Sequence, residues 1–161
     1  MTMEIQERIQ RSIQDAGQLY QKLILLVGKS GFGKTEILKK ISNEFAVPMI
    51  NVNLEISSRL LDVPMEKRAS SLSRMFSRLL NDAGDDMVLL DNTEILFDRS
   101  LQQKPLSLLQ YNAKNRIVIA AWNGVIENGR LTYARPEHHE FRAYPIEETG
   151  ITIDLNTSPG E

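Results

Sequence analysis

The sequence predicts an α/β fold, a mainly parallel five-stranded sheet flanked by helices. Three observations carry that reading. Four short runs, "LILLV" (23–27), "MINVN" (49–53), "MVLLDN" (87–92) and "RIVIAAWNG" (116–124), have the length and apolar content of buried strands. Between them lie stretches whose apolar residues recur at spacings of three and four, as a helix requires. A chain of 161 residues, 42% hydrophobic and 25% charged, supports one packed core and excludes wholesale disorder.

Ile5, Ile9, Ile13, Ala16 and Tyr20 form the stripe of an amphipathic helix within residues 1–21, leading into the domain. The first strand, 23–27, runs into a glycine-rich turn and then a helix buried along Ile37, Leu38, Ile41 and Phe45. Pro48 breaks that helix ahead of the second strand, 49–53. A short helix over 54–61 should stop near Pro64. The longer one after it has Leu72, Met75, Phe76, Leu79 and Leu80 as its stripe and "NDAGDD" as its terminator. The third strand gives way to helical pieces at 93–98 and 105–112, the latter opened by Pro105, suited to a first turn. After the fourth strand, Asn128-Gly129 within "VIENGRLTYA" signals a two-residue hairpin. "FRAYPI" (141–146) is expected to be the last strand. The single domain then comprises a leading helix (1–21), a core (22–146) and a loosely ordered tail (147–161).

The formal net charge of −2 excludes a global pull toward DNA or anionic lipid. With no cysteine there is no disulfide framework, thiolate metal site or cysteine nucleophile, which fits a reducing cytosol. The first residues, "MTMEIQERIQRSIQDAGQ", lack the apolar core of a secretion signal, and the run 23–27 is far too short to span a bilayer. The expected setting is cytoplasmic, without membrane contact.

The turn "GKSGFGKT" is Gly28, Lys29, Ser30, Gly31, Phe32, Gly33, Lys34 and Thr35, a full match to G-x-x-x-x-G-K-[ST]. Gly28, Gly31 and Gly33 let the backbone turn tightly and bring its N–H groups close to a polyphosphate. The helix that starts near Lys34 adds its positive end. Lys34 would neutralise the β- and γ-phosphates, and the Thr35 hydroxyl would sit on Mg²⁺. With glycine at about 7% of average composition, such a match arises by chance in roughly one chain of this size in a few hundred. Its position at a strand-to-helix junction makes accident rarer still. A magnesium–phosphate site also needs a carboxylate at the end of a neighbouring strand, and Asp91 closes "MVLLD".

With this loop, Asp91 and the strand end "AAWNG", the sequence resembles the additional-strand ATPases close to the AAA+ group, whose P-loop NTPase core binds ATP and Mg²⁺. The resemblance implies that Asn123 contacts the γ-phosphate or the attacking water. It also exposes a departure. Many such ATPases carry glutamate directly after the strand-ending aspartate, whereas this chain has Asn92. An amide can orient water but cannot accept its proton at neutral pH. Glu94, two residues on, is the alternative base, or else a helix-first-turn acid placed for the dipole. Slow hydrolysis is therefore one expectation. A non-hydrolysing nucleotide-dependent module and a small-molecule kinase are the rival ones.

Arg130, Arg135 and Arg142 fall where ring-forming relatives offer an arginine to a neighbour's γ-phosphate. Lys67, Arg74 and Arg78, with Arg68 nearby, share a helical face that reads first as solvated. His138 and His139 should point apart in an extended segment and behave as loop residues. Trp122 and Tyr133 read as core rather than as base-stacking platforms.

The segments "LLDNTEILF" and "WNG…NGRLTYA…HHEFRAYP" are similar to the BrxF family, P-loop proteins of type III BREX phage-defence systems. That similarity implies a bacterial cytoplasmic ATPase beside other BREX subunits, among them a DNA methyltransferase, with DNA contact made indirectly through them. Little chain follows residue 146, so the helical lid of AAA+ proteins is expected to be missing. A partner protein or a neighbouring copy would then complete the site.

Overall fold

Five apolar residues in a row need cover on both faces, and Leu23–Val27 (β1) has it, all five being buried. The computed structural model describes residues 3–156. It places β1 between β4 (Ile117–Trp122) and β8 (Ile151–Asp154), with β3 (Met87–Asp91) and then β2 (Met49–Asn51) beyond β4. The order is β2-β3-β4-β1-β8, and every pairing is parallel. The predicted α/β class with a five-stranded parallel sheet is thus what the chain forms.

Side chains alternate between two buried layers. Leu23, Leu25 and Val27 join Val88, Leu90, Val118 and Ala120 against α3 (Val52–Leu60), α4 (Met65–Ala83) and α5 (Pro105–Asn112). Ile24 and Leu26 join Leu89, Ile119 and Ala121 against α1 (Met3–Ala16) and α2 (Lys34–Phe45). Each fully buried leucine or isoleucine stabilises this sandwich by about 1.5–3 kcal/mol. The stripe of α4 is the expected one, with Leu72, Phe76, Leu79 and Leu80 buried and Met75 packed beside them. Its Lys67, Arg74 and Arg78 face solvent.

Several boundaries move for identifiable reasons. The helix α1 stops at Ala16, and Tyr20 is 75% exposed, its ring instead meeting the Lys114 ammonium 5.5 Å away. Strand β2 ends at Asn51, not 53, because the Asn51 side chain accepts the Leu54 N–H (3.1 Å) and so caps α3 two residues earlier than expected. The helical piece expected at 93–98 is a 3₁₀ turn over Thr93–Phe97.

The largest correction concerns the end of the chain. Arg142–Pro145 (β7) is a strand but not the last one. It pairs antiparallel with β6 (Arg130–Tyr133), which pairs with β5 (Gly124–Glu127), making a separate three-stranded meander. Asn128 and Gly129 turn that hairpin with φ of 54° and 73°, the left-handed pair of a type I′ turn. The fifth parallel strand is β8, inside the stretch expected to be a loose tail. Only four residues long, β8 is held by pairing with β1 and by burial of Ile153, neither visible in its own pattern.

The meander docks through aromatic rings. Phe97 stacks on Tyr133 with centroids 3.5 Å apart, and Trp122 meets Phe97, Tyr133 and Tyr144 edge-on at 5.1–6.1 Å. Burial first, then the nearby charges of Glu140 and Glu94, push the Tyr133 phenol well above its ordinary pKa. Trp122 and Tyr133 are therefore core residues, as the sequence suggested. Gly124 opens β5 under this cluster, where an added Cβ would lie 1.8 Å from the Thr132 carbonyl oxygen. Gly124→Ala is expected to cost at least about 3 kcal/mol, seen as a lower urea midpoint. An unchanged midpoint would show that β5 does not pack as described.

Candidate functional site

Strands β1, β3 and β4 end side by side, and the turns that leave them enclose a cleft of about 310 Å³. Ser30, Gly31, Gly33, Lys34 and Thr35 line one side, while Asp91, Asn92, Glu94 and Asn123 line the other. The structure thus gathers into one space the loop and all four strand-end residues singled out from the sequence. Gly28, Lys29 and Phe32 belong to the loop but not to the lining. Glu36 also borders the cleft, and nothing in the sequence distinguished it from any first-turn acid.

Gly31 and Gly33 both hold φ of 87°, a region that opposes any Cβ. Gly33 caps α2 without a side chain, so the first N–H groups of that helix keep no side-chain acceptor. Lys34 is 8% exposed, and its ammonium donates to the carbonyls of Gly28 (2.5 Å) and Lys29 (3.0 Å). Burial lowers its pKa from the ordinary lysine value, while the charges of Glu94 and Asp91 work against that shift.

Across the cleft the Thr35 hydroxyl donates to Asp91 Oδ2 at 2.7 Å, and the Asn92 N–H donates to Asp91 Oδ1 at 2.9 Å. The carboxylate is thereby fixed at both oxygens. A hydroxyl and a carboxylate in contact are hard oxygen donors, the set that Mg²⁺ takes together with waters and phosphate oxygens. Thr35 and Asp91 therefore fit that ion.

Asn92 is left-handed (φ 52°, ψ 56°), a conformation asparagine tolerates better than glutamate does. This is a backbone reason for the departure at that position. Beyond it the chain enters the 3₁₀ turn, anchored by the Thr93 hydroxyl donating to the Ala121 carbonyl at 2.6 Å. Glu94 then faces Asn123, whose side-chain amide donates to Glu94 Oε1.

A second cleft of about 900 Å³ opens between the loop and the meander, sharing Ser30 and Asn123 with the first. Arg130 and Arg135 line it. Arg142 does not, its guanidinium donating to the carbonyls of Glu140 and Phe141, both at 3.3 Å. The two histidines do not point apart. Their segment turns, and the rings stack 4.7 Å apart while His138 Nδ1 accepts the Glu140 N–H.

No helix among the described residues is long and apolar enough to cross a membrane. The family model described as "ATPase family associated with various cellular activities (AAA)" matches residues 24–124, from β1 through the strand end that carries Asn123. No curated protein matches the chain. Among solved structures, C. elegans PCH-2 aligns with 94% of this chain and 42% of its own, at 16% identity and a TM-score of 0.48. The chain therefore spans less than half the length of that protein.

Proposed function

We propose, from the premise that this chain belongs to the AAA family of ATPases, that it binds Mg·ATP in the P-loop cleft and hydrolyses it slowly. The observation that carries this reading is the Thr35–Asp91 hydrogen bond, which joins the phosphate loop to the acidic strand end. Backbone N–H groups of Gly31, Gly33, Lys34 and Thr35 hold phosphate, and Lys34 exchanges its loop carbonyls for β- and γ-phosphate oxygens. Bound Mg²⁺ supplies charge neutralisation at those oxygens. Glu94 accepts a proton from the attacking water, and Asn123 orients that water or the γ-phosphate. Asn92 lines the cleft beside them but has no basic atom to take the proton.

The same geometry fits slow turnover, because the Asn123 amide donates to one Glu94 oxygen and stabilises the charged carboxylate that takes the proton. This bond also favours a second reading, a nucleotide-dependent switch without turnover. Phosphate release from Mg·ATP, followed over a range of protein concentrations, separates the two. Activity per molecule that rises with concentration supports an ATPase completed by a neighbouring copy, for which Arg130, Arg135 and Arg142 are the candidate arginines. Tight ATP binding without release at any concentration supports the switch.

The cellular setting we propose is the cytoplasm of a bacterium carrying a type III BREX system, with the other subunits of that system as partners and any DNA contact made through them. The support is the similarity of "LLDNTEILF" and "WNG…NGRLTYA…HHEFRAYP" to the BrxF family. Co-purification of those subunits with the tagged chain, and loss of phage protection with Lys34→Ala, are the expected results. Full protection by that variant would remove nucleotide use from the role.

A further inference from the structure

We infer that Asn156 is a positioning residue of the nucleotide site, stapling the start of the P-loop to the start of β5 and so setting the spacing between the phosphate cradle and Asn123. The inference rests on the ATPase reading above and adds to it a residue that the family match, ending at residue 124, does not reach.

Strand β8 runs parallel to β1 with Ile24 opposite Ile151 and Val27 opposite Asp154, so the chain leaves β8 level with the opening of the loop. The ladder continues one step further, the Leu155 N–H donating to the Val27 carbonyl at 2.7 Å. Asp154 Oδ1 then accepts the Asn156 N–H at 2.9 Å, a side-chain-closed turn that brings residue 156 back over the loop. There the Asn156 side chain spends both ends of its amide. Its Oδ1 accepts the Lys29 N–H (3.1 Å), and its Nδ2 donates to the Gly124 carbonyl (2.9 Å). A backbone N–H can only donate and a carbonyl can only accept, so these partners fix which end of the amide is oxygen.

The bridge sits where sheet pairing runs out. The register of β1 with β4 ends at Val27 and Trp122, and the Gly28 N–H adds a last bond to the Trp122 carbonyl at 3.0 Å. Past that point β1 turns into the cradle and β4 runs on to Asn123 and Gly124. Asn156 spans this divergence by holding Gly124, one residue from Asn123, and Lys29, five residues from Lys34. One side chain thus serves both the Lys29 N–H and the Gly124 carbonyl. The Lys29 amide lies in the first half of the loop, so its use here leaves the N–H groups of Gly31, Gly33, Lys34 and Thr35 to phosphate, while the Phe32 N–H donates to the Lys29 carbonyl at 3.1 Å.

The staple acts on the distance from cradle to Asn123, so its loss separates catalysis from binding. Asn156→Ala removes both hydrogen bonds and is expected to lower kcat about tenfold while ATP affinity changes by less than about threefold. Preference for a non-hydrolysable ATP analogue over ADP should fall with it, since Asn123 addresses the γ-phosphate. A purely structural role would weaken both nucleotides alike and lower the melting temperature. Asn156→Asp keeps the acceptor for Lys29 but sets a carboxylate oxygen against the Gly124 carbonyl. It should reproduce the loss of preference even if the alanine variant proves unstable.

The deciding measurement is a cycle with Asn123→Ala, read as kcat and as the analogue-to-ADP affinity ratio by fluorescent nucleotide titration. Action through Asn123 means that Asn156→Ala adds little on the Asn123→Ala background. Effects that multiply, as for independent sites, overturn the inference. Absent nucleotide binding by the unsubstituted chain would instead overturn the ATPase reading, so the two failures are told apart.

Discussion

Lys34→Ala is expected to abolish measurable phosphate release and to weaken ATP binding by about 10² or more, the scale of losing two charge-assisted hydrogen bonds. The expectation comes from the motif and from the geometry together. The ammonium is buried, donates to the Gly28 and Lys29 carbonyls, and sits in a cleft whose other wall brings Asp91 and Glu94. Burial disfavours its charge, and phosphate oxygens would repay that cost better than two neutral carbonyls do. The fold should survive, since the lysine belongs to neither buried apolar layer. Titration of a fluorescent ATP analogue alongside a thermal melt checks this. Full affinity in a folded variant would mean that the nucleotide binds elsewhere.

Glu94→Gln carries the second large effect, a fall in kcat of about 10²–10³ at nearly unchanged ATP affinity, the usual scale for removing a general base. Glutamine keeps the length and an oxygen for the Asn123 amide but cannot take a proton from water. Asn92→Ala, measured beside it, should cost less than about tenfold because its amide was never a base. The contrast tests the assignment directly. If Asn92→Ala proves the more damaging, the left-handed residue after β3 is orienting the water and Glu94 is a first-turn acid held by Asn123.

Much of this was legible in the residues. Gly31 and Gly33 need positive φ, Lys34 and Thr35 follow at the start of a helix, and the run before them is apolar throughout, so cradle and strand were visible together. Asp91 was legible only beside the phosphate loop, because a carboxylate that ends an apolar strand serves turns as readily as metals. The hairpin was legible because Asn128-Gly129 encodes its own turn. What escaped were features whose cause lies elsewhere in the chain. Asparagine at 92 permits a left-handed turn but does not show that the turn brings Glu94 round to Asn123. Residues Ile151–Asp154 read as tail because two isoleucines among polar neighbours make no strand until β1 lies beside them.

By itself the sequence determined the class of fold, the phosphate loop and the acidic strand end, because each depends on local rules: strand hydrophobicity, glycine conformation, helix initiation. Tertiary structure decided which strand completes the sheet, that the last hairpin forms a separate meander, that Glu94 pairs with Asn123, and that Asn156 bridges the loop to β5. The Glu94–Asn123 and Lys29–Asn156 bonds cross 29 and 127 positions of chain. Local pattern does not carry them, since a hydrogen bond between distant residues forms only once the packed layers have brought its two partners together.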